Sequence, residues 1–447
     1  MAKKENSEEI YNKARQVISG GVSRNTVFRM PYPNYANSAS GCYITDIDGT
    51  VRTDFANNMA ALIHGHSFPP IVDAVIGQLK KGTAYTLASE IEVAFATHLI
   101  ERVQSFERIR FMNSGTEAVM AMIKASRAFT GRPKIAKAEG AYHGTYDFAE
   151  VSQMADPTNW GKEDQPSSVA LAHGTPQSVT KDVVIYPYNN IDRTLNILDK
   201  HASDIACVIV DPVPHRVGLV PGNNDFIEAL YSWTRKNEAL LVFDEVITFR
   251  VNYGGAQENY SVKPDLTSLG KIIGGGFPVG AVAGRADVMQ VFDPHEKNLL
   301  LPYSGTFSAN PITMTAGYQA MKYYDSEAVT QLNLLADVAV KQIREVIKLA
   351  GVPVSVTGAG SMLRMHLRPD PPTTYREAYM DKEGKKLVNE LLDYMYYKEN
   401  TLMINTFSCM LSTVMTQKEI DQLSEGLHRA FTTFKPRIEK LNKDNYE

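Results

Sequence analysis

Cysteine is scarce in this chain of 447 residues, with only Cys42, Cys207 and Cys409. The three lie far apart, are odd in number and form no Cys-x-x-Cys pair, which excludes a disulfide framework and a cysteine-based zinc site. We therefore expect reduced thiols and a cytoplasmic protein, with no metal centre.

Long apolar runs and an excess of one charge are also lacking. No stretch is long and apolar enough to span a membrane, and residues 1–10 lack the apolar core of a signal peptide. The 46 basic and 50 acidic residues are interspersed and give a net charge of -4. This balance gives no reason to expect nucleic acid or an anionic membrane as partner. Any anion must therefore be bound by a local arrangement of residues.

What the chain does have is material for a large core. An apolar content of 44% and a charged content of 21% are those of a soluble globular protein. The length exceeds what one core normally accommodates, so two domains are the default expectation.

The most informative stretch is residues 269–280, in which Lys271 stands among small and β-branched residues and precedes three glycines. Burial disfavours the ammonium form and lowers the pKa of a lysine, which leaves a nucleophilic amine able to form a Schiff base with an aldehyde. A lone lysine at a strand end could equally be an ordinary side chain that reaches solvent. The residues upstream favour the chemical interpretation.

Asp244 ends an apolar run, residues 239–243, that is typical of a buried parallel strand. The carboxyl ends of such strands face the ligand crevice of an open α/β sheet. Asp244 could be a metal ligand, a helix cap or the ion-pair partner of Arg250. Together with Lys271 it fits pyridoxal 5'-phosphate, because the amine holds the aldehyde and the carboxylate keeps the pyridinium nitrogen protonated.

A second anion-binding pattern lies upstream, where the short strand 106–112 leads through Asn113-Ser114-Gly115-Thr116 into a helix. Free backbone N–H groups and the helix dipole at such a junction attract phosphate. A plain helix cap would need only Ser114 or Thr116, and the two interpretations are compatible.

Five motifs together resemble the class III, fold-type I enzymes that depend on pyridoxal phosphate. They look most like glutamate-1-semialdehyde aminomutase and the β-amino-acid aminotransferases, and the resemblance runs from about Gly20 to the C-terminus. The motifs stand in the expected order: Asn113-Ser114-Gly115-Thr116-Glu117-Ala118, Tyr142-His143-Gly144, Phe243-Asp244-Glu245-Val246-Ile247-Thr248, Leu269-Gly270-Lys271-Ile272-Ile273-Gly274-Gly275-Gly276 and Ser304-Gly305-Thr306-Phe307.

The resemblance implies roles for further residues. Tyr142 is expected to stack on the cofactor ring, with His143 and Val246 also touching the cofactor. Thr306 is expected to reach across a homodimer interface and to complete the neighbour's phosphate site. Arg24 is expected to bind the substrate carboxylate, since a planar guanidinium can hold both oxygens.

The chain departs from its relatives at residues 211–216, where Asp211 replaces a glutamate and His215 and Arg216 occupy the place of an amide side chain. Either of the two could bind a second anionic group of the substrate or perturb the cofactor. Aminotransferase or aminomutase activity on a small anionic amino compound is the first hypothesis. A lyase, such as an ammonia-lyase acting on an amino-phosphonate, or a racemase is the alternative that this departure motivates.

The expected fold is α/β, with a large domain built on a mostly parallel sheet flanked by helices and a smaller α+β domain. The resemblance places the N-terminal segment of the small domain at residues 1–55, the large cofactor-binding domain at 56–322 and the C-terminal small domain at 323–447. Residues 152–181 are polar and aperiodic, which predicts a loop over the active site.

Overall fold

The protein is described here by a computed structural model of residues 6–446, in which helices and strands alternate through most of the chain. The helices are α1 (Ser7–Val17), α2 (Asn57–Ala60), α3 (Pro69–Leu79), α4 (Glu90–Arg102), α5 (Gly115–Thr130), α6 (Asp147–Glu150), α7 (Gln177–Lys181), α8 (Ile191–Asp199), α9 (Asn224–Lys236), α10 (Ala286–Met289), α11 (Pro311–Tyr323), α12 (Ser326–Ala350), α13 (Tyr375–Ala378), α14 (Lys382–Tyr397) and α15 (Gln417–Tyr446). The strands are β1 (Ala36–Ser40), β2 (Tyr43–Asp46), β3 (Val51–Asp54), β4 (Arg108–Met112), β5 (Lys134–Ala138), β6 (Gly161–Lys162), β7 (Gln165–Pro166), β8 (Val183–Tyr186), β9 (Ile205–Val210), β10 (Leu240–Asp244), β11 (Leu266–Gly270), β12 (Gly280–Gly284), β13 (Ser355–Ala359), β14 (Met362–His366), β15 (Thr401–Leu402) and β16 (Ser408–Met410).

A seven-stranded sheet carries the largest part of the structure, with strand order β4-β12-β11-β10-β9-β5-β8. Only β12 is antiparallel to its neighbours, β4 and β11, so the other six strands share one direction. Every residue of β9 and β10 is buried, as expected for strands covered on both faces. The mostly parallel sheet that the sequence predicts is confirmed.

The helix α5 shows how local sequence aligns the site. Its N-cap Ser114 accepts a hydrogen bond from the Glu117 N–H at 3.1 Å, and it ends at Gly131 in the left-handed conformation. Between these ends its apolar face is buried, and the larger side chains on it, Val119, Met122 and Ile123, each contribute about 1.5–3 kcal/mol. Capping and packing together fix where this helix begins, directly after β4.

Two smaller sheets accompany the large one. In the first, β1, β2 and β3 form an antiparallel meander to which β15 adds in parallel, so the first 55 residues meet the chain's last quarter. The second contains β13, β14 and β16 and packs on the long helices α12 and α14 in the main apolar core. These sheets agree with the expected α+β part. The division at residues 55/56 and 322/323 stays a prediction.

One expectation about local structure is wrong in part. Residues 152–181 are not without regular structure, because they contain the β6–β7 hairpin and α7. Helix α15 continues past Pro436 to Tyr446, and Ile438 is fully buried in the core. Since a proline removes only one helical N–H, the buried apolar face on both sides outweighs that loss.

No helix within residues 6–446 combines the length and the apolar character that crossing a bilayer requires.

Candidate active site

The carboxyl edge of the large sheet gathers the candidate residues. Asp244 ends β10, Lys271 follows β11, Asp211 follows β9, and Ser114 follows β4. These four strands share one direction, so their carboxyl ends open at one edge of the sheet, where ligands of α/β folds bind.

Asp244 is only 4% exposed, and both of its carboxylate oxygens are hydrogen-bonded. One carboxylate oxygen accepts from the Ser268 hydroxyl at 3.0 Å and from the Val246 N–H at 3.1 Å, and the other contacts Nδ1 of His143 at 2.7 Å. Burial alone would raise the pKa of Asp244, but the bond to His143 and the charge of Lys271 leave it lowered. Asp244 is therefore a buried anion at neutral pH.

His143 contacts the Asp244 oxygen that neither Ser268 nor Val246 bonds. Burial lowers its pKa, so the ring is neutral at ordinary pH, and its Nδ1–H donates to the ionised carboxylate. Its Nε2 is buried without a hydrogen-bond partner. Such orphaned polar atoms are rare inside proteins and are common at sites built for chemistry.

Lys271 adopts a left-handed backbone conformation with φ of 47°. This conformation costs a non-glycine residue roughly 1–2 kcal/mol and persists only where the surroundings impose it. Burial lowers the pKa of the Lys271 amine, while the negative charges of Asp244 and Asp211 oppose that effect. The carboxyl of Asp211 has a raised pKa, because it is buried and lies near Asp244.

The N-terminus of α5 packs against the loop after β10. A Cβ at Gly115 would lie 2.8 Å from Cγ1 of Val246, so glycine permits this approach. The Thr116 hydroxyl accepts from the Thr145 N–H at 3.4 Å. The N–H groups of Gly115 and Thr116 stand in the first turn, where a helix offers them no acceptor. The structure thus brings Ser114, Gly115, Thr116 and Val246 together.

Tyr142 is 41% exposed, and the guanidinium of Arg216 lies 5.0 Å from the centre of its ring. Arg216 also donates to the Gln153 carbonyl at 3.3 Å, which ties it to the start of the predicted loop. Arg216 has no acidic partner within the described residues. The Tyr142 ring and the Arg216 guanidinium therefore lie against each other at the rim of the site.

His215 is half-buried and its Nε2 contacts the Thr406 hydroxyl at 3.0 Å. Burial, followed by the charges of Arg364, Lys271 and Arg216, lowers its pKa to about 3. His215 stays neutral throughout the ordinary pH range.

Arg24 and Arg29 differ in their partners. Arg29 forms an ion pair with Asp393 at 2.6 Å, whereas the exposed Arg24 donates to the neutral side-chain oxygen of Asn58 at 2.8 Å. Arg250, considered as an ion-pair partner of Asp244, is fully buried elsewhere and donates to Ser361 and to the Leu411 carbonyl.

Thr306 is exposed in the irregular segment between β12 and α11. Within residues 6–446, no hydrogen bond joins it to another candidate residue. Its exposure is compatible with the predicted role at a neighbouring subunit and leaves that role untested.

Two residues of the site were missed by sequence reasoning. Ser268 faces Asp244 because the parallel register pairs these two positions, and a polar residue inside an apolar strand was the available signal. Arg364 lies in the apolar strand β14 and is 4% exposed. It donates to the His215 carbonyl at 2.6 Å, and its Nε has no acceptor.

These residues fit pyridoxal phosphate. Asp244 is a buried carboxylate for a pyridinium nitrogen, and the left-handed Lys271 supplies an amine whose pKa is lowered. The first turn of α5 offers unpaired N–H groups for a phosphate. Within the described residues, no cluster of three His, Cys, Asp or Glu side chains has the spacing of a metal site.

Comparison with known proteins gives a consistent result. Residues 28–431 match the family model of the class III aminotransferases. A glutamate-1-semialdehyde 2,1-aminomutase from Methanothermobacter thermautotrophicus is 37% identical over 373 residues, which are 83% of this chain and 86% of that protein.

Solved structures agree over nearly the whole chain. An omega-transaminase from Sphaerobacter thermophilus has a TM-score of 0.93 at 42% identity and covers 96% of this chain and 98% of its own. A transaminase with PLP bound has a TM-score of 0.88 at 35% identity, and the match covers 97% of this chain and 98% of that one. A beta-phenylalanine aminotransferase from Variovorax paradoxus has a TM-score of 0.85 at 30% identity. The match covers 96% of this chain and 94% of that protein. The expected fold-type I architecture is confirmed.

Proposed function

This chain belongs to the class III aminotransferase family and is a pyridoxal-phosphate-dependent enzyme of amino-group transfer. We propose that its amino donor is a small amino acid whose carboxylate is bound by Arg24. The proposal rests on the guanidinium of Arg24, which is exposed and has a neutral partner, Asn58. Since a carboxylate can use the remaining N–H groups of this side chain, Arg24 is available to a charged substrate.

We assign the cofactor contacts as follows. Lys271 would join the aldehyde, Asp244 would hold the ring nitrogen, and the first turn of α5 at Ser114, Gly115 and Thr116 would bind the phosphate. When bound, the cofactor supplies an electron-accepting ring that stabilises negative charge at the substrate carbon. The side chains of Tyr142 and Val246 would cover the two faces of that ring.

The proton movements fall to residues of this chain. Asp244, whose pKa is lowered chiefly by its bond to His143, would hold the proton on the ring nitrogen of the bound cofactor. Lys271 accepts the proton from the substrate carbon that carries the amino group and returns it one step later. Its lowered pKa suits this role, because burial favours the free amine over the ammonium form.

A matched substrate pair tests the proposal. 3-Amino-3-phenylpropanoate and 1-phenylethylamine differ only by the carboxylate, and each is offered with and without 2-oxoglutarate or pyruvate. We expect preference for the carboxylated donor, conversion to pyridoxamine phosphate with donor alone, and sustained turnover only with a keto acid. The Lys271→Ala variant is the control for amine chemistry at this residue.

Two other outcomes would replace the proposal. Sustained turnover without a keto acid and with ammonia release would indicate the lyase that His215 and Arg216 motivated. Isomerisation of glutamate 1-semialdehyde without an added acceptor would indicate an aminomutase, the second candidate. That candidate is favoured by the 37% identity to the aminomutase of Methanothermobacter thermautotrophicus.

We further propose that the enzyme is a cytoplasmic homodimer in which Thr306 completes the neighbour's phosphate site. Two apolar side chains near this residue are exposed, Leu87 at 82% and Phe307 at 60%. A cleft of about 390 Å³ is lined by Leu87 and by residues 303–306 and 308–311. Apolar surface of this kind is typical of a contact with another chain. The cytoplasmic location is supported by three buried cysteines without disulfide bonds.

A further inference from the structure

The short helix α2 is left-handed. Its four residues Asn57, Asn58, Met59 and Ala60 have φ of 45°, 48°, 57° and 69°, and none of them is glycine. Each left-handed residue costs roughly 1–2 kcal/mol, and asparagine is the one type among these four that visits the region readily. Four in succession persist only where their surroundings hold them, and such strain gathers at functional sites.

Buried polar contacts hold the turn. Asp54 accepts from the Asn57 N–H at 2.9 Å, and the Asn57 side chain donates to the Met410 carbonyl at 2.6 Å. The Ala60 carbonyl accepts from Arg250 at 3.5 Å. Because both ends of the turn are fixed by buried groups, the side chain between them has a defined position.

The turn lies beside the loops that carry the catalytic candidates. Ala60 shares one apolar cluster with Val213 and Ile247. Val213 stands two residues after Asp211, and Ile247 stands three residues after Asp244. The turn is therefore packed on the carboxyl edge of the large sheet.

From this turn the exposed Asn58 side chain accepts the hydrogen bond of Arg24 at 2.8 Å. Backbone conformation alone does not explain asparagine at this position, because aspartate tolerates the left-handed region similarly. The charge does distinguish them. A carboxylate would neutralise the guanidinium, whereas the amide oxygen orients it and leaves its charge to another anion.

We propose that Asn58 is a positioning residue that sets substrate specificity: the left-handed turn presents a neutral acceptor that orients Arg24 for the carboxylate of the amino donor. This inference rests on the proposed function of Arg24. It predicts that Asn58→Asp, which strengthens the contact to Arg24, weakens the recognition of a carboxylated substrate.

The experiment measures kcat/KM of the full-length, cofactor-loaded enzyme for 3-amino-3-phenylpropanoate and for 1-phenylethylamine, and reports their ratio. We expect Asn58→Asp to lower the ratio about tenfold, chiefly through KM of the amino acid. Asn58→Gly keeps the backbone conformation and removes the acceptor, and we expect it to lower the ratio by a smaller factor.

Two further variants separate the possible failures. Asn400→Asp places the same charge on another exposed left-handed asparagine, with φ of 48°, and should leave the ratio unchanged. Arg24→Ala must lower the ratio, and if it does not, the proposed carboxylate binding itself is wrong. If Arg24→Ala lowers the ratio while Asn58→Asp leaves it within twofold of the wild type, the role of Asn58 is overturned.

Discussion

The proposed role of Asp244 depends on a single charge. Asp244→Asn keeps the size of the side chain and removes the anion, so the ring nitrogen would lose the group proposed to keep it protonated. We expect kcat for amino transfer to fall by about 100- to 1,000-fold, while the covalent attachment at Lys271 is retained. Steady-state kinetics and the absorbance spectrum of the bound cofactor measure the two effects.

A matched control is available on the neighbouring strand. Ser268→Ala removes the hydrogen bond that a neutral hydroxyl donates to the ionised Asp244, and it leaves the contacts of Asp244 with His143 and Val246. The expected loss is about 1.5 kcal/mol of stabilisation, or roughly tenfold in rate. Equal losses in the Asn and Ala variants would contradict the assignment of the charge to Asp244.

Sequence reasoning reached those residues whose type or neighbours are unusual. Lys271 and Asp244 are predicted as site residues because each departs from an apolar surrounding, and Arg24 is predicted because of the resemblance. The left-handed conformation of Lys271 and the contact between Arg24 and Asn58 could not be predicted, since neither follows from local propensity. Both arise when segments distant in sequence pack together.

At the scale of elements, α13 closes over the end of β5. Arg376 forms two bonds of 2.9 Å with the buried Glu139, and its guanidinium lies 4.7 Å from the Trp160 ring. Tyr375 covers Gly140, where a Cβ would lie 1.9 Å from its ring. Since Gly140 precedes Tyr142 by two residues, this contact fixes the strand end that carries the predicted stacking aromatic.

Removing one partner of the Arg376–Glu139 ion pair tests how much the pair contributes to stability. Arg376→Met leaves Glu139 buried without a partner, and we expect a loss of about 3–5 kcal/mol. Hydrogen exchange of residues 139–163 and the thermal midpoint measure the effect. Adding Glu139→Leu should recover part of the stability, because no buried charge remains. A double variant no more stable than Arg376→Met would show that the ion pair is not the cause.

Elements with strong periodicity were predicted well, whereas those determined by contacts were not. The apolar spacing of residues 327–350 is typical of an amphipathic helix and predicts the body of α12, whose buried face forms part of the main core. The hairpin β6–β7 has two residues in each strand, too few for alternation to appear. Its place is set instead by Arg376, which donates to the carbonyl of Gly161 at 3.0 Å.

For the whole molecule, buried neutral histidines predict a loss of stability in acid. Burial and the charge of Arg364 lower the pKa of His215 and His366 to about 3, against about 6.5 in the unfolded chain. Between these values the unfolded state binds a proton that the folded state does not, so stability falls as pH falls. Each histidine contributes about 1.4 kcal/mol per pH unit.

Glu245 opposes this trend over part of the range. Burial raises its pKa to about 7, so the folded state holds the extra proton between about pH 4.5 and 7, and stability from this group falls as pH rises. Below about pH 4.5 Glu245 no longer opposes the loss of stability that the two histidines cause.

We expect His366→Gln to show a shallower fall of the thermal midpoint from pH 6.5 to 3.5 than the wild type. Parallel curves would contradict this account.

The proposed dimer can be tested by mixing two inactive subunits. Lys271→Ala lacks the amine of its own site, and Thr306→Ala lacks the hydroxyl that its neighbour's phosphate site needs. If Thr306 acts across the interface, a mixed dimer has one site with both defects and one site with neither. Each mixed dimer then has one intact site out of two. Because about half of the dimers are mixed after equal random exchange, activity should rise on mixing to about a quarter of the wild-type value.

The opposite arrangement gives a different result from the same mixture. If Thr306 served its own subunit, each site of the mixed dimer would carry one defect, and mixing would restore nothing. Subunit exchange must be confirmed by mass measurement of the mixed dimer, and Ser304→Ala paired with Lys271→Ala serves as the control for a neighbouring hydroxyl in the same segment. Because recovery requires an intact site assembled from two chains, it cannot come from refolding of either variant alone.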